Sequence, residues 1–412
     1  MSVDEYDCAI VGGGLVGCAL ALALAPLGRR IALIEARAPS VPAEDVYNER
    51  SVALSYSSRL ILEGIGLWSR IAAAAEPMSA VHVSQRGYFG ATRLQAVDEG
   101  LPALGYVVIN RLLLKALFDA IDAVPNIETI APARIEAIAA APEALSLTLD
   151  ANANANSPRR GLRARLLIAA DGSSSRTRDR LGIAVDRVDY GQRAVIANVH
   201  AEPSPRGTAF ERFTDQGPIA LLPLGPNRYA LVWVQTPEQA QETLALDEQG
   251  FLAALQARFG HRAGTFTRTG RREAYPLERV RANRLVSERA LLIGNAAHTV
   301  HPVAGQGLNL ALRDIATLAG LLLDAPDSGA AAVLQAYASA RQPDIDRTLT
   351  ITDGLLRVFC NPWPPVGVAR TAGLCMLDLL PAFKTRVARV GMGLAYPTDP
   401  RLGRGLPLLE GH

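Results

Sequence analysis

Lysine is nearly missing from this chain of 412 residues: Lys115 and Lys384 are the only two, and arginine supplies the rest of the 42 basic side chains, set against 40 acidic ones. The arginines are scattered along the chain, so no basic stripe marks a nucleic-acid partner. Cysteine is scarce as well. Cys8, Cys18, Cys360 and Cys375 contain no Cys-x-x-Cys pair, and the histidines are dispersed apart from His298 and His301, which removes a metal centre and a disulfide framework from consideration. The apolar run Val16 to Leu27 is too short to span a bilayer, and the opening Met-Ser-Val-Asp-Glu-Tyr-Asp has no basic-then-apolar export signature. A cytoplasmic location is the expectation.

What is present begins at the N-terminus. The apolar strand Cys8 to Val11 leads into Gly12-Gly13-Gly14-Leu15-Val16-Gly17, a helical run to Leu27 and a second apolar strand, Arg30 to Ile34, that ends at Glu35. In such a unit Gly12 lets the strand turn sharply, Gly14 admits a pyrophosphate to the backbone, Gly17 lets the helix pack closely, and Glu35 faces a ribose 2′-OH. This is the fingerprint of an ADP-containing cofactor, without a choice between NAD and FAD.

A second glycine-punctuated segment lies far downstream. The strand Leu291 to Ile293 runs into Gly294-Asn295, then His298, His301, Pro302 and Gly305-Gln306-Gly307-Leu308-Asn309, where Gln306 or Gly307 opens a helix. The free N–H groups of a helix N-terminus are ready to meet negative charge. Between the two segments, the strand Arg165 to Ala170 ends in Asp171-Gly172, with Ser175 and Arg178 beyond, and no further Gly-x-Gly-x-x-Gly occurs.

On these three ordered motifs the chain resembles the FAD-dependent aromatic hydroxylases built on the para-hydroxybenzoate hydroxylase fold. Through residues 81–87, 194–199, 209–214 and 294–297 it is similar to the ubiquinone-biosynthesis hydroxylase family. The late motif departs from the wider class in offering Asn295 where an aspartate is usual; an amide still accepts through its carbonyl oxygen. The resemblance implies bound FAD, NAD(P)H as co-substrate, and transfer of one oxygen atom from O₂ by way of a flavin C4a-hydroperoxide. It implies as substrate a polyprenyl phenol, 2-polyprenyl-6-methoxyphenol, with a multi-enzyme ubiquinone-biosynthesis complex as the setting. Arg50 would sit near flavin and pyrophosphate, Arg111 near the ribose or phosphates, the backbone at Ile135 near the adenine, and Asp171 and Asn295 among the cofactor contacts. Gly305 to Asn309 would face the flavin's N1–C2=O edge, with Pro302 walling its reacting edge.

The fold class expected is α/β. Residues 1–76, 101–185 and 281–345 read as a discontinuous Rossmann-type FAD domain, 77–100 and 186–280 as an inserted β-sheet substrate domain, and 346–412 as a C-terminal helical region. The segment 151–158 reads as a polar turn. Arg212, Leu222 and Trp233 are candidates for the substrate side of the sheet. His298 and His301 read as hydrogen-bonded structural residues in preference to a base for the phenol, because no carboxylate stands at a set spacing from them. From Leu355 on, seven basic residues against three acidic ones accompany Leu374, Met376, Leu377, Leu379 and Leu380, a pattern suited to a peripheral membrane contact or to packing on the protein. Trp68, Trp233 and Trp363 stand alone, so the Trp-x-Trp-x-Ile-Pro halogenase signature is absent. Hydroxylation at another ring position and a non-catalytic flavin-fold scaffold are the alternatives.

Overall fold

The computed structural model describes residues 4–45, 48–150, 160–204, 206–359, 361 and 363–395. The polar segment 151–158 and the basic residues Arg401 and Arg404 lie outside the described residues.

Three stretches of chain, distant in sequence, build one mainly parallel sheet. Its order is Val286–Ser287, Ala290–Leu292, Arg160–Ala169, Asp4–Val11, Ile31–Ile34 and Ile127–Ile130, with the hairpin Arg134–Ala141 and Ala144–Asp150 added antiparallel to Arg160–Ala169. The central strands are apolar almost throughout because helices or the hairpin cover both faces. The helix Leu15–Leu24 packs on one face, and Cys8 and Cys18 are buried there as free thiols. Burial pushes both thiols up to about 12.

The second sheet runs His298–Thr299, Glu273–Ala282, Val185–Glu202, Arg228–Gln235, Pro218–Pro223, Thr208–Phe213, Ala80–Gln85 and Ala91–Gln95. One face carries Val195, Ile219, Leu221, Leu231 and Trp233 against the helices Pro237–Ala245 and Glu248–Phe259. The other face carries Ala209, Leu222 and Ala230 against Ala53, Val107 and Ile109 of a small three-stranded sheet that abuts the nucleotide layer. Strand alternation therefore decides which residues can approach a cofactor. The long helix Ala331–Phe359 runs unbroken across the expected boundary at residue 346, and the helices Pro364–Leu379 and Pro381–Gly391 follow it.

A charged cluster joins the helix Gln306–Leu322 to this long helix. Asp314 is wholly buried; its Oδ1 accepts from Arg341 Nε at 2.7 Å, and its Oδ2 pairs with His298 Nε2 at 2.7 Å and accepts from Gly294 N at 3.0 Å. Asp344 pairs with both Arg313 and Arg341, at 2.8 and 2.6 Å. Burial pushes the Asp314 carboxyl up, but His298 and Arg341 outweigh it and hold the group at about 2. An acid depressed in the folded state stabilises fully above its unfolded pKa and loses that contribution as pH falls through its folded one. Asp314 thus supplies about 2 kcal/mol above pH 4 that disappears between about pH 4 and pH 2. Urea denaturation at pH 6, 4 and 3 checks this: wild type should weaken steeply, whereas Asp314→Asn should start about 3 to 5 kcal/mol lower and lose that share of the slope. An Asn variant as stable as wild type at pH 6 would remove Asp314 from this role.

Candidate functional site

At the end of the strand Asp4–Val11 the backbone turns at Gly12, where φ is 109° and a Cβ would stand 2.5 Å from the Ala170 carbonyl oxygen. The helix then packs so tightly that a Cβ on Gly17 would fall 1.8 Å from Gly12 O. Both glycines are required by the protein's own packing. Gly14 differs: it has extended φ and ψ of −82° and −170°, open to any residue, and a Cβ there meets nothing within 4 Å. It borders a cradle that a side chain would fill. Glu35 turns its carboxylate to this loop, accepting from Gly13 N at 2.6 Å and Arg37 N at 3.0 Å.

The late segment closes the other end. Gly294 is held by Asp314, Ala296 O accepts from Arg178 Nη1 at 3.2 Å, and Asn295 alone in this buried turn is exposed. Gly305 takes φ 58° as N-cap of the helix Gln306–Leu322, and its Cβ position lies 3.2 Å from Ala53 Cβ. With no side chain at the cap, the first-turn N–H groups of Gly307 and Leu308 are left for a ligand. The Asn309 side chain, by contrast, is used by the protein itself. It is buried, donates to Ala53 O and Gly305 O, and accepts from Ser55 N and Ser58 Oγ at 2.8 and 2.7 Å, so its amide clamps the loop to the strand Ser51–Ser55.

Other expected contacts also have protein partners. Asp171 accepts from Ser175 Oγ and from Thr177 N and Oγ1 at 3.1 and 3.0 Å, capping the helix Arg176–Arg180, while its backbone lies against Gly12. Arg50 pairs with Glu273 at 2.9 Å, and Arg111 with Glu49 at 2.5 Å. The Ile135 side chain is buried in the hairpin core, and its backbone lies in the ladder opposite Leu149.

On the second sheet, Arg212 and Trp233 are corrected by strand parity. Trp233 is buried against Phe251 under the covering helices, and Arg212 donates to Ser84 Oγ at 3.2 Å on that same face. A cleft of about 570 Å³ lined by His82, Arg93, Phe210 and Arg262 also opens on this side, away from the glycine loops. Leu222 does face the nucleotide side, together with Ala209 and Phe213, the latter touching Val303 beside Pro302. Glu211, between Ala209 and Phe213, points the same way. Nothing local marks it in the sequence, since apolar residues fall on both sides of the strand and hide which face it takes. His298 gains the carboxylate partner that spacing did not reveal, Asp314, and is structural. His301 Nδ1 accepts from Val303 N at 3.1 Å, and burial lowers its pKa to about 4, so the ring is neutral at pH 7.

These residues fit FAD: an open cradle at Gly14, a carboxylate beside it, an exposed amide at Asn295 and an uncapped helix N-terminus at the far end. Gly14→Val should therefore lower FAD occupancy yet leave the FAD-free protein within about 0.5 kcal/mol of wild-type stability. Gly17→Ala should cost about 1 to 3 kcal/mol or more whether or not FAD is present. Flavin absorbance per chain and urea melts of the stripped proteins separate the two, and a yellow, fully occupied Gly14→Val would sink the cradle assignment.

Comparison with known proteins points to the same cofactor. The family model described as FAD binding domain matches residues 5–352. The chain is 38% identical to "Ubiquinone hydroxylase UbiL" of Rhodospirillum rubrum over 99% of its own length and 95% of that protein's. It is 32% identical to "3-demethoxyubiquinol 3-hydroxylase" of Escherichia coli, covering 96% of this chain and 100% of the other. Its fold matches p-nitrophenol 4-monooxygenase PnpA from Pseudomonas putida with a TM-score of 0.79 at 19% identity, over 96% and 99% of the two chains. The chain belongs to the FAD-binding monooxygenases of the ubiquinone-biosynthesis hydroxylase family.

Proposed function

We propose that the chain hydroxylates 2-polyprenyl-6-methoxyphenol at the carbon para to its hydroxyl, giving 2-polyprenyl-6-methoxy-1,4-benzoquinol with NAD(P)H and O₂ as co-substrates. The observation that carries the reading is the apolar sheet face of Val83, Ala209, Phe213 and Leu222, which meets Ala53 and Val303 beside the Gly305 helix start. Such a wall suits an apolar aromatic ring and keeps out water. Bound FAD supplies the reductive activation of O₂ and the transfer of one oxygen atom. The chain's own part is to hold negative charge at the N-terminus of the helix Gln306–Leu322, worth about 0.3 to 2 kcal/mol from the dipole, and to place the ring under the Pro302 turn.

Similarity to a 3-demethoxyubiquinol 3-hydroxylase favours a second reading, hydroxylation of a related ring at another carbon. Product analysis with ¹⁸O₂ and a short-chain 2-prenyl-6-methoxyphenol decides: one labelled oxygen should enter, at the para carbon. Label drawn from water would defeat both readings, and a product hydroxylated elsewhere would transfer the assignment to the second.

A polyprenyl tail partitions into lipid, and the C-terminal helices support delivery from a membrane surface. No single helix among the described residues is long and apolar enough to cross a bilayer, but the segments Pro365–Leu379 and Pro381–Gly391 meet at a 100° bend. That corner exposes Val368, Met376, Leu379, Phe383 and Val387, with Arg386 and Arg389 exposed beside them. Exposed apolar side chains rimmed by arginine match an anionic lipid surface. Wild type should float with phosphatidylglycerol-containing liposomes, and Leu379→Glu with Phe383→Glu should remain at the bottom of the gradient with FAD content intact. Equal flotation of the double variant would count against lipid contact, and failure of wild type to float would favour a partner in a multi-enzyme quinone assembly.

A further inference from the structure

We propose that Glu211 is the group that accepts the phenol's hydroxyl proton, a role that rests on the hydroxylase reading above. Its strand position fixes where the side chain points. In Thr208–Phe213, the residues before and after it on the same face pack on opposite sides of the site: Ala209 joins Met78, Val107 and Ala53, and Phe213 joins Val303. Val83 and Ala220 are its register partners on the adjoining strands. The carboxylate therefore leaves the strand on the face that Ala209 packs toward Ala53 and Phe213 packs toward Val303, among uncharged neighbours. Its Oε1 is buried with no hydrogen-bond partner among the described residues. The residue as a whole is half-buried, and a carboxylate oxygen buried without a partner is costly to keep unless a ligand uses it.

The surrounding charges are accounted for. Arg212 and His82 lie on the opposite face of the sheet. Tyr190 donates to Asp353, which also pairs with Arg279 at 2.8 Å, and Glu49 is bound to Arg111. His301, edge-on to Tyr190, is neutral, and a pKa of about 4 makes it a weak base. Burial, with no compensating cation, pushes Glu211 up to about 8, much closer to a phenol than an ordinary carboxylate is. In the step, the phenol O–H bond breaks, a carboxyl O–H bond forms on Glu211, and the electron pair stays on the phenolate oxygen. That pair raises electron density at the ortho and para carbons, where an electrophilic oxygen attacks.

The test uses the FAD-loaded full chain and has a kinetic and a binding arm. Wild-type kcat/KM should rise with pH through about 8, the sign required of a base that works ionised. Glu211→Gln should lose that rise and fall about 100-fold or more at pH 8, with FAD content and melting temperature unchanged. A ring-fluorinated phenol, ionised without help, should recover most of the loss. In the binding arm, 4-nitrophenolate at pH 9 should take up one proton on entering wild type, since two anions do not share a buried site, and none on entering Glu211→Gln; calorimetry in two buffers of different ionisation enthalpy counts it. A Gln variant with the wild-type pH profile and the same proton uptake overturns the proposal. A wild type that takes up the proton but hydroxylates no phenol overturns instead the reading on which the catalytic role rests.

Discussion

A carboxylate on the inner face of the helix Gln306–Leu322 sets the geometry on which the cofactor site depends. Asp314 reaches the backbone of Gly294, the ring of His298 and the guanidinium of Arg341. Through these it fixes, at once, the turn that presents Asn295, the strand that leaves it, and the long helix behind. Removing charge from water is expensive, and the cluster repays that only because every member has a partner in good geometry. Asn309 performs the neutral counterpart one turn from the helix start, tying the Gly305 loop to the strand Ser51–Ser55. The N-terminus of this helix is thus held from both sides before any ligand arrives, which is what electrostatic preorganisation requires.

The second sheet divides its labour by parity. Odd-numbered residues of Thr208–Phe213 face the nucleotide layer, and even-numbered ones face the covering helices or the outer cleft. Because both faces are buried, the sheet can be stable without its reaction face being optimally packed. That freedom allows a carboxyl such as Glu211 to stand unpaired where the stability of the opposite face, rich in Phe, Leu and Trp, absorbs the cost.

The same parity explains what sequence reading could and could not reach. The glycine fingerprint, Glu35 at the close of the second strand and the helix opening at Gln306 follow from local rules of turn, strand and cap, and the structure places them as those rules require. The side of the sheet did not follow. In Ala209-Phe210-Glu211-Arg212-Phe213 apolar residues fall on both faces, so no alternation tells which is which, and Arg212 and Trp233 lie on the face opposite the one the candidate site needs. Asp314 was illegible for another reason: its partners stand 16 residues upstream and 27 downstream, and only the packing of two helices brings them together. The continuous helix Ala331–Phe359 similarly crosses Pro343, a residue that reads locally as a break.

The buried thiols of Cys8 and Cys18 have a consequence for an enzyme that handles oxygen. Whenever reduced flavin meets O₂ without substrate in place, hydrogen peroxide is released beside the protein, and thiolates are its preferred target. Held at about 12, these two sulfurs are almost entirely neutral at cellular pH and closed off by the helix and sheet that bury them. The glycine-rich βα unit therefore carries sulfur for packing while denying it to any oxidant that turnover releases.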